Sequence, residues 1–168
     1  MIREFDGKKP VIAASAFVSE AAHVIGEVRI GVNSSVWPGA VVRGDFAGIT
    51  IGDNCQIEDG CVVHAGRPMA IGNNVHIGHG AVIHCLRIGD NVLIGSNATL
   101  LEGAVIGNGC VVAANCLVNE RMQARDDSFV AGVPAIVKGK TTLAQRAMID
   151  AGVKGYMDMG RQYLEAGL

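Results

Sequence analysis

The chain has 168 residues, 49% of them apolar but only 4% aromatic, with 23 glycines and a net charge of −2. The glycines follow no Gly-X-Y period and prolines number only 4, which excludes collagen. The abundance of Ile, Val and Leu excludes disorder, and the near-neutral charge without a basic run argues against a nucleic-acid partner.

The start, Met1 to Pro10, carries no apolar stretch and no cleavage site, so no signal peptide is expected. The longest apolar runs, such as Ile12–Val18 and Cys110–Ala114, are far shorter than the roughly 20 residues of a membrane span. The expected compartment is the cytoplasm. Cysteines 55, 61, 85, 110 and 116 form no Cys-x-x-Cys pair and read as small core residues in a reducing environment.

From Ile12 onward the chain divides into blocks of six, each opened by an aliphatic. The starts are Ile12, Val18, Val24; Ile30, Val36, Val42; Ile51, Ile57, Val63; Ile71, Ile77, Ile83; Ile88, Ile94, Leu100; and Ile106, Val112, Val118. The second position is often Gly, as at 31, 52, 72, 78, 89, 95 and 107, which is read as conformational freedom. The fifth is small, as at Ser34, Ala40, Ala81, Ala98 and Ala104. Four of the cysteines fall on this fifth position. A period of six suits a coil in which each block supplies one flat side and one corner, and three blocks close a triangle. The branched first residue and the small fifth residue fill the interior. Eighteen blocks make six coils, roughly 29 Å tall at about 4.8 Å per layer.

Extra residues fall at Gly48–Thr50 and Arg67–Ala70, where loops are expected to leave the prism, and the block from Ile83 is short by one. Trp37-Pro38 reads as a packed corner. The pattern fades after Val118, and Phe129 to Ala135 reads as a closing strand. Thr142 and Gln145 form a capping-box signature. A helical tail, of one or two helices, is expected from there to Ala166, packed along the prism as a cap. The β-helix is assigned to residues 1–137 and the tail to 138–168.

The block register also sorts the histidines. His64 and His84 are second residues of third blocks in adjacent coils, so they stack and point outward. His79 is the third residue of a middle block and belongs to another side. One prism hardly brings all three together, but neighbouring prisms can, and three-fold symmetry then closes a homotrimer with three identical sites. Three imidazoles with an open fourth position suit catalytic zinc, while iron and cobalt also accept imidazole. His23 and His76 are sixth residues and read as structural. Arg43 lies one coil below His64, and Asp59 one coil below His79. These two and Asp45 read as salt-bridge residues at the trimer contact.

Val42-Arg-Gly-Asp45, Ile57-Glu-Asp-Gly60, Val63-His-Ala65, Ile77-Gly-His79 and Ile83-His-Cys85 together resemble the gamma-class carbonic anhydrases and their bacterial homologues. The resemblance covers about residues 8–165. It implies a mainly β fold, a left-handed parallel β-helix with an α-helical tail, in a homotrimer that hydrates CO2 reversibly to bicarbonate. It also implies metal ligands His64 and His84 from one chain and His79 from the next. Arg43 and Asp45 match an intersubunit ion pair, and Asp59 an acidic residue beside the site. Tyr156 or Tyr163 matches a tyrosine that approaches from the tail. Two departures stand out. Glu58 replaces a Gln that positions water in the family, and the segment Ala65 to Ala70 lacks an acid that carries protons in the family's acidic loop. An ionised carboxylate accepts hydrogen bonds but cannot donate them. Two other readings remain open: an acyltransferase or thioesterase acting on coenzyme A substrates with a His base, and a noncatalytic metal-binding assembly module.

Overall fold

The computed structural model describes residues 1–168. It has the expected form, a left-handed parallel β-helix of about seven turns followed by one helix. One face stacks seven short strands in parallel, from Phe17–Val18 through Ser35–Val36, Gln56–Ile57, His76–Ile77, Leu93–Ile94 and Val111–Val112 to Ser128–Gly132. Ala135–Lys140 closes this face as an antiparallel partner of the last strand. The other two faces form one 12-stranded sheet, because His23–Ile30 and Val41–Ile51 each turn a corner as a continuous strand.

The block register accounts for the core. Every block start from Val24 to Val118 is buried, and only Ile12 and Val18, at the open N-terminal end, are half-buried. The small fifth residues are buried too, as are all five cysteines, which are free thiols. The interior is one apolar column, and its regular supply of branched and small side chains leaves no place for rings.

Three expectations are corrected. The repeat runs one turn beyond Val118, with Ala124 and Val130 as its inward residues. No loop leaves at Gly48–Thr50. Val41–Ile51 absorbs those residues by running beside His23–Ile30, and Gly26 and Gly44 let the two backbones approach. The second-position glycines serve close approach rather than unusual backbone angles: a Cβ on Gly52 would lie 2.5 Å from the Gly72 carbonyl oxygen. Positive φ belongs to the fourth position, at Asn33, Asn54, Asn74, Asn91, Gly60 and Gly80, for example, and asparagine and glycine tolerate it best.

After Arg67 the chain bends back at once, and Met69 is buried. The β-portion extends through Lys140, and the tail is a single helix, Leu143–Glu165. Thr142 and Gln145 form the capping box, each side chain bonded to the other's backbone N–H. The helix lies along the first face. Ile149 and Val153 pack against Val111, with Leu93, Phe129 and Met157 around them. At its far end Tyr163 meets Phe17 and Trp37. No helix is long and apolar enough to cross a membrane.

Candidate metal centre

The site residues come from corners and strand ends of adjacent turns. Val62–His64 pairs in register with Val41–Arg43 on one side and Val82–Ile83 on the other. That register carries His64 over Arg43 and brings His84, one residue past Ile83, against His64. The two rings stack with centroids 5.3 Å apart and planes inclined by 23°. The His84 Nε2 is buried and has no hydrogen-bond partner. The His64 Nε2 lies 3.1 Å from Asp45 Oδ1, and the Arg43 guanidinium pairs with the other oxygen of that carboxylate in the same chain. Burial pushes the Asp45 carboxyl up. Hydrogen bonds from Arg43 and His64 outweigh this and hold it below the usual carboxylate range. A carboxylate on one ring nitrogen fixes the imidazole and leaves the other nitrogen as the metal donor.

His79 sits at a different corner, in the Gly78–Gly80 turn after His76–Ile77, with 57% of its side chain exposed. Asp59 Oδ2 lies 3.2 Å from its Nδ1. The Glu58 Oε2 lies 3.0 Å from its Nε2 and accepts the His79 backbone N–H at 2.8 Å. Within one chain no group of three or more His, Cys, Asp or Glu residues is arranged to hold a metal. The donor chemistry nevertheless fits one. His84 presents an orphaned buried nitrogen, His64 is steered by Asp45, and His79 is exposed at its own corner between Glu58 and Asp59.

Glu58 is more deeply set than its place in the sequence suggests. It is only 3% exposed, and its Oε1 lies 2.6 Å from His76 Nε2. Burial raises its pKa. The bond from His76, the neighbouring Tyr156 hydroxyl and the charges of His76 and His79 outweigh that and keep it below the usual range. Of the two candidate tyrosines, Tyr156 is the one at this site. Its ring stands edge-on to His76 at 5.1 Å, and burial and the Glu58 carboxylate push its phenol above the ordinary range. Tyr163 belongs to the aromatic cluster at Phe17 and Trp37.

Sequence reasoning missed two residues. His76, read as structural, is the partner of Glu58; the signal was its position one residue before inward Ile77, on the face the tail covers. Glu102, in the turn after His84, was not singled out. A Cβ on Gly66 would meet Glu102 Oε1 at 3.4 Å and His84 Nε2 at 3.6 Å, so this carboxylate stands beside the acid-free segment. Arg67 Nε lies 3.4 Å from it.

Family patterns agree with the frame. The bacterial transferase hexapeptide pattern (six repeats) matches residues 86–120, and the hexapeptide repeat of succinyl-transferase matches 24–66. A carbonic anhydrase of Geobacillus kaustophilus is 42% identical over 64 residues, 38% of this chain and 35% of that protein. The mitochondrial gamma carbonic anhydrase 1 of Arabidopsis thaliana is 40% identical over 67 residues, 40% of this chain and 24% of that protein. These matches thus span about a third or less of the curated relatives' length. A Bacillus cereus structure described as a candidate acetyltransferase is 32% identical with a TM-score of 0.94, covering 96% of this chain and 95% of that one. The hexapeptide patterns and the whole-length likeness to the Bacillus cereus structure place the chain among the hexapeptide-repeat left-handed β-helix proteins, and over part of its length it is similar to gamma-class carbonic anhydrases.

Proposed function

We propose that this chain hydrates CO2 reversibly to bicarbonate at metal sites shared between the subunits of a homotrimer in the cytoplasm. His64 and His84 of one subunit and His79 of the next are the ligands, and zinc, iron or cobalt is the metal. The observation that carries the reading is the unpartnered, buried His84 Nε2 stacked on His64, while the third histidine is exposed at another corner. An apolar column beside the pair supports a subunit contact there. Val41, Val62, Val82, Thr99 and Leu117 are registered partners on the outer side of one face, and Val62 and Val82 are exposed in the single chain.

A divalent metal, when bound, supplies Lewis acidity that brings the ionisation of water near neutral pH. The protein's own groups then divide the remaining tasks. Asp45 holds the His64 ring in one orientation. Glu58, ionised and anchored at both oxygens, is an acceptor that orients a water at the His79 corner. Asp59 braces the outer edge of the His79 ring. Tyr156, kept protonated, closes the inner side of this pocket against bulk water. Glu102 takes the part of the missing loop acid and passes protons to solvent, to which it is half exposed.

The second reading, acyl transfer from a coenzyme A thioester, is favoured by the description of the Bacillus cereus structure. Metal content separates the two. About one metal per chain with metal-dependent CO2 hydration in stopped flow supports the anhydrase. A metal-free protein that acylates an acceptor supports transfer. Metal bound without any turnover supports a noncatalytic assembly module.

A further inference from the structure

His76 is held from both sides. On one side Glu58 Oε1, from the adjacent turn, lies 2.6 Å from its Nε2, and since an ionised carboxylate can only accept, this nitrogen donates. From outside the C-terminal helix covers it. A Cβ on Gly152 would lie 2.5 Å from His76 Nδ1, so only glycine at 152 allows the helix to sit where it does. Tyr156, one helical turn further and on the same side, stands edge-on to the ring. The Nδ1 is buried without a partner, so the helix covers that nitrogen without bonding to it. Glu58 continues the chain of contacts, its second oxygen bonded to the His79 N–H. The helix, His76, Glu58 and the His79 corner therefore form one contiguous path.

We propose that His76 is a positioning residue that transmits the docking of the C-terminal helix to Glu58 and, through it, to the His79 corner. The functional weight of this rests on His79 being a metal ligand, as proposed above; the mechanical coupling does not. If the helix shifts, the His76 ring moves. Glu58 then loses its inner hydrogen bond, and a buried carboxylate that has lost one bond readjusts its other. In this arrangement the tail is more than a lid on the solenoid, because it sets the geometry of an acceptor at the candidate centre.

The test uses the full-length protein without metal. Its single tryptophan, Trp37, lies 5.4 Å from Tyr156 and 5.1 Å from Tyr163, so its fluorescence reports helix docking. Hydrogen exchange at the His79 amide reports the Glu58 bond. In Gly152→Ala and His76→Ala both reporters are expected to change, with His79 exchange faster by at least about tenfold. His76→Gln, which keeps an N–H donor at similar reach, restores His79 protection. A changed Trp37 signal with unchanged His79 exchange in Gly152→Ala overturns the coupling, as does failure of His76→Gln to restore protection. On metal-loaded protein the same variants lower kcat with KM held, and His76→Gln recovers kcat. If the wild type binds metal and hydrates no CO2 while the exchange coupling holds, the anhydrase reading fails and the coupling stands.

Discussion

The rings of His64 and His84 lie 5.3 Å apart and 23° from parallel because Val63 and Ile83, the inward residues just before them, are registered partners in adjacent turns. The spacing is that of the strand ladder itself, so the pair needs no special loop to hold it. Only the ring rotation is left to be fixed, and for His64 that falls to Asp45.

Asp45→Asn is therefore expected to weaken metal binding by about 10- to 100-fold, the usual effect of losing a carboxylate that orients a metal-binding imidazole. The fold should persist, since Asp45 lies on the outer side of the prism wall. Competitive titration with a chromophoric chelator measures the affinity, and circular dichroism checks the fold.

Gly52 and Gly60 separate two uses of glycine. Gly52→Ala puts a Cβ 2.5 Å from the Gly72 carbonyl oxygen, and backbone must give way, so the expected loss is about 3 kcal/mol or more. Gly60→Ala meets nothing within 4 Å, and its only obstacle is a φ of +69°, which costs about 1–2 kcal/mol. Urea unfolding of the two variants should rank them in that order.

The block register made most of the fold legible. A six-residue period names the inward side chains, and those are the residues the solenoid buries. The seventh turn was not legible, because Ala124, although six residues after Val118, is small and interrupts the run of large aliphatic starts before Val130 resumes it. The asparagines at positive φ were legible in principle, since Asn33, Asn54, Asn74 and Asn91 all fall on the fourth position of their blocks. At the site, the stacking of His64 and His84 follows from the register. The environment of Glu58 does not, because His76 reaches it from the adjacent turn and Tyr156 from the distant tail, and a short-range pattern carries neither approach.

Glu58 gives the protein an acid limb. Its folded value lies below the ordinary 4.5, so its contribution is present in full above that value. It is lost as pH falls through the lowered folded value. Stability followed by Trp37 emission should thus decline below about pH 4.5 more steeply in the wild type than in Glu58→Gln, which has no carboxylate to protonate.

Glu102→Gln tests the acid beside His84. It is expected to lower CO2 hydration at low buffer concentration by about tenfold, with recovery in concentrated imidazole buffer, since an external base then carries the proton. Metal content should not change. Stopped-flow hydration across a buffer series makes the comparison.

The most direct measurement mixes two inactive variants. His79→Ala and His84→Ala each spoil every site in a trimer of one kind. Unfolded together in equal amounts, refolded and loaded with metal, they form trimers in which intact His64 and His84 meet an intact His79 on a neighbour. A site shared between subunits is expected to return metal-dependent CO2 hydration to roughly a quarter of the wild-type value, the share of intact pairings under random assembly. No recovery from mixed trimers, with a wild type that is active under the same conditions, would contradict a centre built from two chains.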